Sequence, residues 1–190
     1  MLDLETLSTR NWATILVIGA IRFKPDNSTT VPLEKLKPSD TFYRRITIDS
    51  CKEVGLHVDE KTEAWWKTQD KSVRDEAFGK ERIPLKQALV EFSTWFGNDN
   101  TIKLWCQGAN FDAPILDEAY RRCNLEPPWK YWNVRDTRTV YDILGHSHVS
   151  SITRWTSNAL PGSPDESNSA RSSQVSCYSI TAPIGALHFL

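Results

Sequence analysis

Two carboxylates lie two residues apart near the start of the sequence, where Asp3 and Glu5 alternate with Leu2 and Leu4. Because the side chains of a β-strand alternate between its faces, both acids would lie on one face and both leucines on the other. Neighbouring like charges repel on a pleated face. A divalent cation between them would turn that repulsion into binding, since Mg²⁺ prefers carboxylate oxygen. A solvated edge strand explains the same residues without a metal, and this stretch alone leaves both interpretations open.

A third acid, Asp112, lies at the start of a predicted helix over 111–124, after a predicted strand over 102–106. It precedes Ile115 and Leu116 by one helical turn and so shares their apolar stripe. An acid also favours the positive N-terminal end of a helix, which is the purely structural explanation. Three acids brought to one end of a sheet would suit two divalent ions and the attack of water on a phosphodiester. No histidine or cysteine lies near these acids, which favours Mg²⁺ over Zn²⁺.

Length and composition are those of one soluble globular domain. The chain has 190 residues, of which 39% are hydrophobic and 25% charged, and its net charge of −1 predicts no basic field over the whole protein. The four cysteines show no CxxC spacing and are expected to be free thiols in a reducing compartment. No signal peptide or apolar run of membrane-spanning length is recognised, so we expect a cytoplasmic protein without membrane contact.

The order of predicted elements indicates an α/β fold. Three strands over 1–6, 12–23 and 41–48 form an antiparallel meander, followed by helices over 60–69, capped by Asp59, over 72–78, and after Pro84. The strand over 102–106, the helix over 111–124, a strand over 129–134 and a helix to 144 then alternate, which predicts parallel pairing. The sum is a mixed sheet flanked by helices over residues 1–149. Residues 150–190 are serine-rich and predict an irregular tail.

Four segments resemble one known family, the DnaQ-like (DEDDh) 3′–5′ exonucleases. Asp3-Leu4-Glu5-Thr6 resembles their first motif and Gly108-Ala109-Asn110-Phe111-Asp112-Ala113-Pro114-Ile115-Leu116 their second. Segments 62–69 and 128–139 resemble a subgroup that holds a mycobacterial 3′–5′ exoribonuclease and a T-even phage exodeoxyribonuclease. The resemblance implies a ribonuclease-H-like fold. It also implies that Asp3, Glu5 and Asp112 hold two Mg²⁺ or Mn²⁺ ions and hydrolyse single-stranded RNA or DNA from its 3′ end to nucleoside monophosphates, with RNA slightly favoured.

The family's third motif, His-x-Ala-x-x-Asp, is where this sequence departs from the pattern. Ser157 stands in the place of the general-base histidine and Gly162 in the place of the last aspartate, while Pro161 would disturb the expected helix. Our hypothesis is a shifted reading frame, or a degraded copy, from about residue 157. The alternative function is therefore a catalytically impaired nucleic-acid-binding relic of the same fold.

Four further residues are predicted to contact substrate, namely Thr6, Trp66, Arg135 and Arg138. Adjacent helical residues point about 100° apart, so one tryptophan of the 65–66 pair would face a groove and stack on a base. We assign the core position to Trp65. The two arginines would hold backbone phosphate or, alternatively, form a salt-bridged face. Asp136 is interpreted as a helix cap, or as a group that supports the metal ligands, and not as a ligand itself. The sequence does not define an oligomeric state, and a homodimer stays open.

Overall fold

The computed structural model describes residues 1–23 and 37–143, and the strands in these ranges form one mixed sheet. They are β1 (Leu2–Thr6), β2 (Ile15–Ile21), β3 (Thr41–Ile46), β4 (Arg82–Ile83), β5 (Leu104–Cys106) and β6 (Val134–Asp136). Their order across the sheet is β4-β3-β2-β1-β5-β6. The pairs β1/β2 and β2/β3 are antiparallel, and β3/β4, β1/β5 and β5/β6 are parallel. The predicted antiparallel meander followed by parallel strands is confirmed.

Helices cover both faces of this sheet. They are α1 (Ile48–Glu53), α2 (Glu60–Thr68), α3 (Lys71–Ala77), α4 (Leu85–Phe96), α5 (Asp112–Arg122) and α6 (Thr137–Ile143), with short 3₁₀ turns at Pro38–Asp40 and Tyr131–Asn133. Asp59 caps α2 as predicted, because its carboxylate accepts a hydrogen bond from the Thr62 amide at 3.1 Å. None of the helices in the described ranges is long and apolar enough to cross a membrane.

Two apolar clusters lie on opposite faces of β1. The larger cluster takes Leu2 and Leu4 together with the apolar stripes of α4 and α5 and with Trp129. The smaller cluster lies under α2 and α3 and consists of Leu7, Leu16, Val17, Trp66, Val73 and Ala77. We call the side of the sheet that holds Leu2 and Leu4 the leucine face and the opposite side, which holds Asp3 and Glu5, the acid face.

A β-bulge interrupts the pairing of β1 with β2 directly after the second acid. Glu5 lies opposite Val17, but Thr6 lies opposite Ile15, so Leu16 is the extra residue on β2. As a result Leu16 and Val17 both belong to the smaller cluster, whereas Ile15 and Ile18 belong to the larger one. The bulge therefore lets two consecutive side chains of β2, Leu16 and Val17, pack on the acid face at the point where β1 ends.

Predicted element boundaries were wrong in two places, at the end of the third strand and in segment 129–134. β3 ends at Ile46, because the Thr47 amide donates to the Ile83 carbonyl of the unpredicted strand β4 and α1 begins directly afterwards. The predicted strand over 129–134 is a 3₁₀ turn followed by β6, because the indole of Trp129 is anchored in the larger cluster and the Asn133 amide closes a turn onto Lys130. The predicted boundary at 149 and the tail over 150–190 lie outside the described residues.

Candidate active site

β1 presents its side chains as the alternation predicts. Leu2 and Leu4 are each 1% exposed, whereas Asp3 and Glu5 are half-buried on the acid face. β1 lies in the interior of the sheet, between β2 and β5. The interpretation of this segment as a solvated edge strand is therefore wrong, since the two acids project from an interior strand.

Asp112 is the first residue of α5 and is only 2% exposed. Its Oδ1 accepts a hydrogen bond of 3.1 Å from the backbone amide of Leu4, which lies between the two acids of β1. Strand β5 pairs with β1 only at Leu2, so the Leu4 amide lies beyond the end of β5 and needs another acceptor. This bond fixes the start of α5 against β1 and places the third carboxylate beside the other two.

The three carboxylates influence one another electrostatically. Loss of solvation raises the pKa of Asp3 to about 7. Burial, followed by the charges of Asp3 and Asp112, raises the pKa of Glu5 well above its ordinary value. The pKa of Asp112 is also raised by burial and by Asp3, while the Leu4 amide and Arg138 oppose that shift. Repulsion of this kind is what a bound cation would relieve.

The donors at this edge of the sheet are carboxylate oxygens, which suit Mg²⁺ or Mn²⁺. Among the described residues, no three or more acid, histidine or cysteine side chains converge closely enough to form a metal-binding cluster. Ser157 and Gly162, the positions of the third motif, lie outside those residues. Asp3, Glu5 and Asp112 thus supply three carboxylates that interact electrostatically, and carboxylate oxygens are the ligand type that the predicted ions prefer. The described residues do not form a complete coordination sphere.

Asp136 holds together the two loops that border the acids. Its carboxylate accepts hydrogen bonds from the amides of Gly108 at 3.2 Å, Ala109 at 2.9 Å and Arg138 at 2.9 Å. It therefore caps α6 and fixes the turn that leads into α5, which confirms the predicted capping role. The bonds to Gly108 and Ala109 were not foreseen, because they join residues 27 and 28 positions apart in the sequence.

Gly108 is required by the conformation of this turn. Its φ of +96° lies in the left-handed region, which favours glycine. A Cβ at this position would lie 3.1 Å from an Nη atom of Arg138, so the guanidinium approaches the turn where a side chain would otherwise stand. The glycine therefore allows Arg138 to lie over the loop that precedes Asp112.

Trp66 corrects the prediction for the tryptophan pair. Its indole is only 3% exposed and packs in the smaller cluster, whereas Trp65 is half-buried. The indole Nε1 of Trp66 donates to the carbonyl of Thr6 at 2.9 Å, so α2 is fixed to the end of β1. Trp66 and not Trp65 occupies the core position, and at this exposure it offers no open ring face for a base.

The remaining predicted contacts differ in what they bind. The hydroxyl of Thr6 donates to the Ser8 carbonyl at 2.7 Å. The guanidinium of Arg135 donates to the carbonyls of Trp132 and Val134, whereas Arg138 is exposed beside Gly108. Neither arginine forms an ion pair in the part of the chain that the structure describes. Of the four predicted substrate contacts, Arg138 is the exposed charge that acts electrostatically on Asp112.

Comparisons with known proteins identify the family of this chain. The family model of the 3′-5′ exoribonuclease Rv2179c-like domain matches residues 1–166, so the chain belongs to that family. It is similar to the exodeoxyribonuclease of Enterobacteria phage T4, with 27% identity over 164 residues that cover 76% of this chain and 70% of the phage protein. No solved structure matches the chain. The family and this relative together support nuclease activity of the exonuclease class.

Proposed function

We propose that the protein is a metal-dependent 3′–5′ exonuclease that removes nucleoside monophosphates from single-stranded RNA or DNA. The observation that carries the proposal is the hydrogen bond from the Leu4 amide to Asp112, which fixes the first residue of α5 against β1 between Asp3 and Glu5. Such a set of acids raises the free energy of the metal-free protein and suits a site that binds cations. The family match supports the reaction, and its name slightly favours RNA.

Each part of the site has a defined task in this proposal. Asp3, Glu5 and Asp112 would hold two Mg²⁺ or Mn²⁺ ions, and these would supply activation of the attacking water and charge stabilisation of the leaving group. The Leu4 amide donates to Oδ1 of Asp112, which holds the carboxylate in place and leaves its Oδ2 available for an ion. Asp136 orders the preceding turn, and the exposed guanidinium of Arg138 is placed to bind a phosphate oxygen of the substrate.

A second candidate is a nucleic-acid-binding relic without turnover. It is favoured by Ser157 and Gly162 in the third-motif positions, which deprive the chain of the family's histidine base and last aspartate. Binding would persist through the arginines and the acid-held cation, but hydrolysis would be slow or absent. Sequencing the gene beyond codon 157 is a direct check, because an intact His-Asn-Ala-Leu-x-Asp-Ala in another frame would explain the departure.

The assay compares the two candidates on single strands of RNA and DNA labelled at the 5′ end. With Mn²⁺ or Mg²⁺, we expect a ladder of shortened products and released nucleoside monophosphates, and no products in EDTA. Asp3→Asn should abolish the ladder with a loss of at least about a hundredfold, since it removes a charge that the ions need. The same change at the exposed Asp49 of α1 is the matched control and should leave the rate unchanged.

Metal binding can be measured without turnover. Mn²⁺ should raise the melting temperature of the wild-type protein, because a ligand that binds only the folded state stabilises it. Asp112→Asn should remove most of this shift, and Asp49→Asn should keep it. A metal-dependent shift without any ladder would support the relic. A ladder that survives Asp3→Asn would instead refute the proposed active site.

A further inference from the structure

A groove of about 620 Å³ lies between α2 and α3 beside the acid face. We propose that this α2–α3 groove binds the nucleotides that lie 5′ of the cleaved bond, so that the strand leaves the acids along these two helices. The inference rests on the proposed function, because it takes the 3′ end of the strand to lie at the acids. It concerns Lys67, Arg74 and Lys80, none of which was predicted to contact substrate, and of which only Lys67 lies in a segment that resembles the family, 62–69.

The groove adjoins the acids through the backbone of β1. Leu7, which lines it, follows Glu5 by two residues, and Trp66, which also lines it, donates to the carbonyl of Thr6 at 2.9 Å. Val17, which lies opposite Glu5 in the sheet, belongs to the same apolar cluster as Leu7 and Trp66. A strand whose end reaches Glu5 therefore meets this groove next.

The lining of the groove combines apolar and cationic groups. The partly exposed Ile48 and Phe78 supply apolar surface for bases and sugars above the buried Leu7 and Trp66, and Lys67, Arg74 and Lys80 supply positive charge for phosphates. Two acids, Glu63 and Asp75, also line it. Asp75 is neutralised by an ion pair with Lys71. The charge that remains in the groove is thus complementary to a phosphodiester backbone.

Arg74 gives the most specific indication of an anionic ligand. Its Nε is buried and lacks a hydrogen-bond partner among the described residues, while one Nη contacts the Lys67 carbonyl only at 3.5 Å. A buried N–H without an acceptor costs free energy, which a phosphate oxygen would recover. The arginine lies on α3 opposite Lys67 of α2, so both helices can hold one backbone.

Sequence-independent recognition follows from this chemistry. Contacts to phosphate and apolar stacking read no base edge, so the groove should bind strands of any sequence. The groove should contribute to the binding only of strands that are long enough to extend from the acids into it. A dinucleotide, whose single phosphodiester is the one cleaved, places no further phosphate in the groove, whereas an octanucleotide does.

The test uses the full chain with the double variant Lys67→Ala/Lys80→Ala, whose side chains are exposed, and the single variant Arg74→Ala. Lys86→Ala is the matched control, because it removes an exposed lysine from α4 on the leucine face. Binding of a 5′-fluorescein octanucleotide is followed by anisotropy in EDTA at several salt concentrations. Turnover of the octanucleotide and of a dinucleotide is then measured with Mn²⁺.

We expect the double variant to bind the octanucleotide about tenfold more weakly, with a salt slope smaller by about 0.7 for each phosphate that the variant no longer neutralises. Its KM should rise for the octanucleotide and stay unchanged for the dinucleotide, with kcat unchanged for both. Arg74→Ala should act in the same direction. A double variant with wild-type affinity, salt slope and KM would overturn the groove assignment while wild-type turnover upheld the proposed function. Failure of the wild type to degrade either substrate would instead contradict the proposed function.

Discussion

The two faces of β1 are built on different principles. On the leucine face, Leu2 and Leu4 are sealed beneath α4 and α5, and Phe92 packs against the rings of Phe42, Trp95, Phe96 and Trp129. On the acid face, a smaller apolar cluster under α2 and α3 leaves Asp3 and Glu5 half-buried. Apolar burial stabilises the first face, whereas the second retains charges whose solvation is incomplete.

The difference shows how one strand serves stability and chemistry together. Burial of the leucines holds β1 in place at about 25 cal/mol for each Å² of apolar surface. That rigidity allows the acids on the other side to be kept close despite their repulsion. A group of repelling acids can thus destabilise the metal-free protein and still be kept in the fold, because apolar burial on the opposite face of the same strand offsets that free-energy cost.

The largest effect is expected on the leucine face. Phe92→Ala should lower the free energy of unfolding by about 3–5 kcal/mol, because it empties a site of 0% exposure that several aromatic rings surround. Urea unfolding measures the loss. Val90→Ala on the same helix removes a side chain that is 49% exposed and should change stability by less than about 0.5 kcal/mol. Equal losses in both variants would contradict the assignment of this face as the main source of stability.

The acid face should respond in the opposite direction. The pKa of Asp3 is raised from 3.8 to about 7, so the unfolded chain loses this proton at lower pH than the folded chain. The contribution of Asp3 to the stability of the metal-free protein therefore falls as pH rises from about 4 to 7. Asp3→Asn removes this loss and should raise the urea midpoint in EDTA at pH 8, with little change at pH 4.

The difference between the variant and the wild type at a series of pH values measures this effect. Groups with a lowered pKa, such as Asp59 and Glu91, lose their stabilising contribution as pH falls and titrate below this window. Mn²⁺ should reduce the difference at pH 8, since it stabilises the ionised acids of the wild type. A variant that is less stable than the wild type throughout the series would show that the carboxylate is stabilising in the apo protein.

The smallest effect concerns the contact between the acid face and α2. Trp66→Phe keeps a ring in the smaller cluster but removes the donor to the Thr6 carbonyl, which should cost about 1 kcal/mol. The half-buried Trp65 is the control position, and Trp65→Phe should cost less. Thermal unfolding compares the two. A larger loss at position 65 would refute the assignment of Trp66 as the residue that fixes α2 to β1.

Local periodicity accounts for what the sequence could predict. The alternation of Leu2, Asp3, Leu4 and Glu5 is a property of any strand, and the position of Asp112 in the stripe of α5 follows from helical geometry. Both predictions of local placement are confirmed, with Asp3 and Glu5 on one face and Asp112 buried at the start of α5. The metal-binding roles of these residues stay predictions.

Features that depend on distant partners were not predictable. Strand β4 has two residues and exists only through its pairing with Arg45 and Ile46 of β3. The orientation of α2 also depends on a remote acceptor, the Thr6 carbonyl, because this short helix has too few apolar residues to define a stripe. The α2–α3 groove results from the packing of two helices against each other, and residue spacing in the sequence does not predict such packing.

The bulge at the end of β1 makes this region sensitive to the length of the chain. Leu16 is an inserted residue on β2, so the strand carries one more residue than its partner at the position after Glu5. Replacing Leu16 by another apolar residue would preserve this count, whereas deleting it would remove the bulge, its local twist and a buried side chain of the smaller cluster at the end of β1. Natural variation here should therefore occur by substitution and avoid single-residue deletions, since the geometry of the acids depends on the number of residues as well as on their type.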